Sequence, residues 1–240
     1  MTRGAVQEAG VTGSPAVVSV GRPPWWLVVA ALLVGGLITA DLLADGRMLR
    51  LDLRVSEIVS DWGLRDADAY PVIWLVTQLG GRVTILVVLA GLVGYLLWRR
   101  GAWLPALRVV LAVAVLTAGV YAIKHGTGRT APAFPGSYFF HDDGASFPSG
   151  HVANAVVMWG VARWQAVRYG LPAAVQRTFW WLAVLGPVGT GVAMVSLDYH
   201  WITDAVVGAA AGIVLLGVVH ALDAIVLSRW VRADAGRPTA

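Results

Sequence analysis

The sequence predicts an all-α membrane protein, built as a bundle of six transmembrane helices, and three observations lead to this prediction. Apolar residues make up 58% of the 240-residue chain and charged residues only 13%, whereas a soluble domain has about 25% charged residues. The apolar residues are concentrated in six long stretches, and about 20 such residues cross a bilayer as a helix. Arginines collect between alternate stretches, as expected of a chain that crosses the membrane repeatedly.

The six predicted spans follow one another between polar segments. They are Trp25–Leu43, Val83–Trp98, Pro105–Ile123, Ser149–Trp164, Phe179–Leu197 and Ile202–Leu227. An interfacial helix is expected over Tyr70–Leu79, just before the second span. Residues 45–69 alternate charged and apolar residues, which predicts an amphipathic segment outside the bilayer.

The domain prediction is a single membrane domain over residues 23–228, with an extracytoplasmic loop over 125–148 that carries candidate site residues. Residues 1–22 are rich in Gly, Val, Ser and Ala and are expected to form a disordered cytoplasmic tail. Residues 229–240 are expected to form a second cytoplasmic tail.

The orientation follows from the arginines of the short segments. Eleven of the 18 basic residues fall on one side: arginines 3, 22, 99, 100, 108, 163, 168, 177, 229, 232 and 237. The positive-inside rule makes this side cytoplasmic. We therefore expect a multi-pass protein of the cell membrane, with both termini in the cytoplasm and the polar motifs described next on the extracytoplasmic face.

Composition also excludes several classes of function. The chain has no cysteine, so disulfides and thiolate metal sites are excluded. No spacing of His, Asp or Glu indicates a metal site. The net charge of +4 is not gathered in one block, and nucleic acid is not an expected partner. No feature specifies an oligomeric state.

The first motif opens the fourth predicted span and runs Ser146-Phe147-Pro148-Ser149-Gly150-His151. Ser149 is a good N-cap, and the free N–H groups of a helix N-terminus bind phosphate. Gly150 allows a phosphate to approach the backbone closely, and His151 projects from the first turn toward the same place. An ordinary serine-capped helix with an interfacial histidine is the alternative for this motif alone.

The second motif opens the sixth predicted span with His200 and Asp204, which share one helix face because they are four residues apart. A carboxylate bonded to one imidazole nitrogen leaves the other free as a nucleophile or base. An ionisable pair at a membrane boundary indicates a functional site. The alternative is a histidine of the interfacial aromatic belt, since Tyr199 and Trp201 flank His200.

Two basic residues complete the candidate set. Lys124 ends the third predicted span and Arg129 follows it, so both could contact phosphate oxygens. Taken separately, each could simply extend its charge to the membrane interface. Together with the two motifs, they gather at one membrane face and point to chemistry on a phosphate ester.

These motifs resemble those of the type 2 phosphatidic acid phosphatase superfamily, which is related to the vanadium haloperoxidases, over roughly residues 70–225. The resemblance implies a six-span bundle that acts without a metal or other cofactor on a lipid phosphate of phospholipid or polyprenyl type. It implies that His200 is the nucleophile and forms a phosphohistidine, that Asp204 orients it, and that His151 protonates the leaving oxygen. Lys124, Ser149 and the Gly150 amide would hold the phosphate, with Arg129 beside them.

The sequence departs from the family pattern at two arginine positions. The first family motif runs Lys, six residues, Arg-Pro, but Ala131 stands at the arginine position here. The third family motif has an arginine six residues before the nucleophile, where this chain has Met194. Arginine binds phosphate in a bidentate, charge-assisted manner, so their loss favours a less charged substrate.

Three functions therefore stay open from the sequence. The first is metal-independent hydrolysis of a lipid-linked phosphate ester at the extracytoplasmic face. The second is a lipid phosphotransferase or phosphodiester-cleaving enzyme that uses the same His/His/Asp set. The third is a catalytically weak lipid-binding membrane protein.

Overall fold

The computed structural model describes residues 22–134, 138–142 and 144–227, and all regular structure in these ranges is helical. The helices are α1 (Trp25–Leu43), α2 (Arg47–Asp61), α3 (Tyr70–Thr77), α4 (Arg82–Arg100), α5 (Leu104–Thr127), α6 (Gly150–Arg168), α7 (Ala173–Ser196) and α8 (Ile202–Leu222). The last helix continues as a π-helix over Asp223–Leu227. The all-α prediction is thus confirmed. Apart from residue 22, both predicted tails lie outside the described residues.

Five of the described helices are long and apolar enough to cross a membrane, and the protein is therefore a membrane protein. They are α1, α4, α5, α7, and α8 with its π-helical extension. The sixth predicted span, α6, has 19 residues but is more polar, with His151, Asn154 and Gln165 along its length. Most of its residues are buried between α4, α5, α7 and α8. Because α6 lies between these helices, its sequence does not need the apolar surface that a helix facing lipid requires.

Two glycines four residues apart bring α8 against the start of α6. A Cβ atom on Gly208 would lie 2.7 Å from the Ser149 carbonyl oxygen, and one on Gly212 would lie 2.7 Å from the Val156 Cβ. Small residues at this spacing allow close packing of membrane helices. The Ser149 amide donates a hydrogen bond of 2.9 Å to the Asp204 carbonyl. The two sequence motifs are therefore joined through their backbones.

Replacing Gly208 with alanine should destabilise the fold by about 1–3 kcal/mol, because the added methyl meets backbone rather than a movable side chain. Gly91→Ala in α4 is the matched control, since its Cβ would meet no atom within 4 Å. Unfolding in detergent with increasing SDS measures both variants. Equal stability of Gly208→Ala and Gly91→Ala would contradict this account of the α6–α8 contact.

Arg108, which was counted among the arginines of the short segments, lies inside a helix. It is fully buried near the start of α5. Its Nε donates a hydrogen bond of 2.9 Å to Asp223, and its Nη1 donates one of 3.2 Å to Tyr169. The side chain is neutralised inside the bundle and does not contribute a loop charge to the predicted orientation.

Candidate active site

His200 lies in the turn before α8 and Asp204 in the first turn of α8, so the prediction that both share one helix face is wrong. Their side chains are nevertheless in contact, because the turn brings the imidazole back over the start of the helix. The distance from His200 Nδ1 to Asp204 Oδ2 is 3.1 Å. Ser146 donates a hydrogen bond of 2.5 Å to the same carboxylate oxygen, and its Oγ is 3.1 Å from His200 Nδ1. A proton on Nδ1 is therefore held by acceptors, which leaves Nε2 with its lone pair free.

The other oxygen of Asp204 binds the buried side chain of Arg129. Arg129 Nη1 donates hydrogen bonds to Asp204 Oδ1 at 2.6 Å and to Thr203 Oγ1 at 2.8 Å. Its Nη2 donates one of 2.6 Å to Asp52 Oδ2. Thr203 completes the network by donating its amide and hydroxyl to Asp52 at 3.0 and 2.5 Å. One guanidinium thus bridges two buried carboxylates.

This position of Arg129 differs from the predicted phosphate contact. The side chain is fully buried, and its guanidinium lies over the rings of Phe139 and Trp201 at 5.2 and 5.1 Å. Its charge is neutralised by the two carboxylates. The structure therefore makes Arg129 a support of Asp204 and does not bring it to the surface that a substrate would reach.

Asp52 is fully buried on the inner face of α2. Burial raises the pKa of this carboxyl, while Arg129 and the hydrogen bonds from Thr203 act in the opposite direction. Removing two ions from water is costly, and loss of either partner leaves an uncompensated charge. The ion pair of Asp52 and Arg129 thereby ties α2 to Thr203 and Asp204 at the start of α8.

A cavity of about 360 Å³ collects most of the predicted site residues. Lys124, Gly150, His151 and His200 all line it, so the ends of α5, α6 and the turn before α8 meet there. The remaining lining residues are Gly80, Arg82, Val120, Tyr121, Ala145 and Asn154. Lys124 Nζ also donates a hydrogen bond to the Ala145 carbonyl. Two imidazoles and a lysine therefore face one space beside the N-terminus of α6.

Ser149 is not among the residues that line this cavity. It is fully buried, and its hydroxyl caps α6 by accepting a hydrogen bond of 3.5 Å from the Val152 amide. Its Cβ faces Gly208 of α8. The structure therefore gives Ser149 a capping role and leaves the Gly150 end of the helix to face the cavity.

The turn that carries His200 is held by α2 and by the segment between α2 and α3. Arg65 donates hydrogen bonds to the carbonyls of Leu197 and Asp198 at 2.6 and 2.5 Å. Ser56 donates one of 2.8 Å to the Asp198 carboxylate. Asp198 has a φ of 52°, a left-handed conformation that few residues other than glycine adopt. These contacts fix the backbone from which His200 projects.

A second, smaller cavity of about 250 Å³ adjoins the first, because His200 and Ala145 line both spaces. It includes Ala131, the residue at the first missing arginine position. Its other lining residues are Thr130, Phe134, His141, Ser146 and Tyr199. Met194, at the other missing position, is buried in α7. Among the described residues, no three His, Asp or Glu side chains could together hold a metal ion.

Sequence reasoning missed Asp52, Ser146 and Arg82. Asp52 carried a usable signal, because it follows Leu49 by three residues and precedes Val59 by seven, which puts a carboxylate on the apolar face of α2. Ser146 lies inside the first motif, but four residues before the first residue of α6. Arg82 is an arginine at the start of a span on the side opposite the arginine-rich loops.

Comparisons with known proteins agree with this architecture. A family model described as the PAP2 superfamily matches residues 105–225. Among solved structures, the fold is similar to the first transmembrane PAP2 type phosphatidylglycerolphosphate phosphatase from Bacillus subtilis, with a TM-score of 0.61 and 19% identity, over 84% of this chain and 98% of that chain. A comparison with curated proteins gave no match. The family model covers half of the chain, so the chain belongs to the PAP2 superfamily.

Proposed function

We propose that this protein is a membrane phosphatase that hydrolyses a lipid-linked phosphate ester without a metal, through a phosphohistidine on His200. The observation that carries the proposal is the contact of 3.1 Å between His200 Nδ1 and Asp204, which leaves Nε2 available at a cavity that His151 and Lys124 also line. An oriented nucleophile, a proton donor and a cation in one space are what phosphoryl transfer requires.

In the first step, neutral His200 attacks phosphorus through Nε2. The P–N bond forms as the bond from phosphorus to the leaving oxygen breaks, and protonated His151 gives its proton to that oxygen. Asp204 stabilises the positive charge that develops on the His200 ring. Lys124 and the free N–H groups at the start of α6 stabilise the negative charge on the phosphoryl oxygens.

In the second step, water attacks the phosphohistidine. His151, now neutral, takes a proton from the water as the new P–O bond forms and the P–N bond breaks. Inorganic phosphate leaves, and both imidazoles return to their starting protonation states. His200 thus forms and then loses its bond to phosphorus, and His151 first donates and then accepts a proton.

The substrate class that we propose is a membrane lipid phosphate of phospholipid or polyprenyl type. The cavity lies at the ends of apolar helices, and Val120 and Tyr121 of α5 give it an apolar side. The similar Bacillus subtilis protein is named for phosphatidylglycerolphosphate, a phospholipid. The arginine distribution supports an extracytoplasmic site in the cell membrane, with both termini in the cytoplasm.

One observation favours the second function, a phosphotransferase or phosphodiester-cleaving enzyme. The cavity of about 250 Å³ at Ala131 adjoins His200, and an arginine at position 131 would extend toward this space. A phosphodiester keeps a substituent on the phosphorus during attack, and this space could receive it. A monoester has no such substituent.

A substrate panel separates these functions. The purified protein in detergent with EDTA is offered lipid monophosphates, lipid diphosphates and phosphodiesters, and the products are identified by mass spectrometry. We expect free phosphate from the lipid monophosphates. A headgroup transferred to an alcohol without free phosphate would instead establish the phosphotransferase, and binding without turnover would establish a lipid-binding protein.

A further inference from the structure

Arg82, which lies outside the matched region of residues 105–225, is placed at the cavity by a turn that is fixed against α6. Asn154 donates a hydrogen bond of 2.8 Å to the Gly80 carbonyl, and Trp159 donates one of 2.8 Å to the Leu79 carbonyl. A Cβ atom on Gly80 would lie 2.5 Å from the His151 carbonyl oxygen. Only glycine permits this approach, so the start of α4 is held directly beside the first turn of α6.

The charge of Arg82 has no partner among the described residues. Within the described residues, the basic residues that form ion pairs are Arg108, Arg129 and His200. Arg82 is exposed and lines the cavity. The two buried arginines are both neutralised by carboxylates. Arg82 is therefore the arginine of this site that can still bind an anion.

The position of Arg82 in its helix also lowers the stability of the protein. Arg82 is the first residue of α4, and a cation at a helix N-terminus opposes the helix dipole. Residues that lower stability in this way are often kept because function requires them. Together with Lys124, Arg82 brings two positive charges to a cavity where a phosphomonoester would bring nearly two negative ones.

We infer that Arg82 binds the phosphate group of the substrate and supplies the guanidinium that Ala131 and Met194 do not. This inference rests on the proposed function and deepens it, because two cations beside His151 and His200 favour a dianionic phosphomonoester over a diester. Arg82 contacts phosphoryl oxygens from the α4 side, and Lys124 contacts them from the α5 side.

The test is the dissociation constant of inorganic phosphate for the full-length protein in detergent, measured by ³¹P NMR titration. Arg82→Gln should weaken binding about tenfold, the range of a partly exposed charge-assisted hydrogen bond. Arg82→Lys should weaken it less, because lysine keeps the charge but not the bidentate geometry. Arg54→Gln is the matched control, since Arg54 is exposed on α2 and lines a different hollow with Arg47 and Arg50.

Two further readouts separate binding from folding. The unfolding temperature of Arg82→Gln should equal or exceed that of the unchanged protein, because the substitution removes a charge that opposes the helix dipole. The kcat/KM of Arg82→Gln should fall about tenfold for a lipid monophosphate and less for a diester. Unchanged phosphate binding in Arg82→Gln, an equal loss in Arg54→Gln, or a lower unfolding temperature would overturn the inference.

The phosphate titration does not depend on turnover. If the unchanged protein released no phosphate from any lipid, the proposed function would fail, while weaker phosphate binding by Arg82→Gln would still support the site. If turnover depended on His200 but not on Arg82, the proposed function would hold and the inference would fail.

Discussion

Replacing His200 with alanine should lower phosphate release at least about a thousandfold, since loss of a covalent nucleophile removes the whole two-step route. The fold should be retained. Asp204 keeps its hydrogen bonds from Arg129 and Ser146, so no buried charge loses its last partner. Initial rates with a lipid monophosphate in EDTA, together with the unfolding temperature, measure both effects.

His141→Ala is the matched control for this variant. His141 lines the neighbouring cavity near His200 but is exposed, and its side chain makes no hydrogen bond to Asp204. We expect a change of less than about threefold in its rate. Comparable rates for His200→Ala and His141→Ala would contradict a nucleophilic role for His200.

Replacing Arg129 with methionine should destabilise the protein by about 3–5 kcal/mol, the range for removing one partner of a buried ion pair. The change leaves Asp52 and Asp204 facing each other in the interior without the guanidinium that bridges them. It should also lower the rate per folded molecule, because Asp204 loses one of the contacts that hold it against His200. SDS unfolding curves and rates corrected for the folded fraction measure the two effects separately.

Arg108→Met is the control that separates stability from catalysis. Arg108 is the other buried arginine of the described residues, and it pairs with Asp223 at 2.9 Å, far along α8 from the site. Its replacement should lower stability in a similar way and leave the rate per folded molecule unchanged. An equal loss of rate per folded molecule in both variants would show that Arg129 acts only through general stability.

The contacts of Arg129 show which features of the fold and site could be predicted from the sequence and which could not. The helices follow from apolar stretches, and the contact between His200 and Asp204 is expected from their separation by four residues, although His200 lies in the turn before α8 and not on the helix itself. The partner Asp52 lies 77 residues before Arg129, and a single arginine in a glycine-rich loop does not indicate whether it faces a substrate or two buried carboxylates. Tertiary packing decides this.

Ser149 and Arg82 illustrate the same limit at the cavity. The sequence indicated an N-cap and a phosphate site at Ser149, and the close approach of Gly208 turned its side chain toward α8. Arg82 belongs to no recognisable sequence motif. Its position at the cavity depends on Asn154 and Trp159 of α6, which hold the turn before α4. Local patterns therefore predicted that the two histidines lie near each other, while helix packing determined which cations line the same cavity.

If His200 is the nucleophile, it carries the phosphoryl group during turnover. The most direct measurement is rapid mixing with a lipid monophosphate in EDTA, quenching in alkali, which preserves phosphohistidine, and peptide mass spectrometry. We expect a phosphoryl group on His200 that is absent from His200→Ala and present at a higher level in His151→Ala if water attack is the slower step there. Turnover with no phosphoryl group on His200, or with one on a different residue, would contradict it.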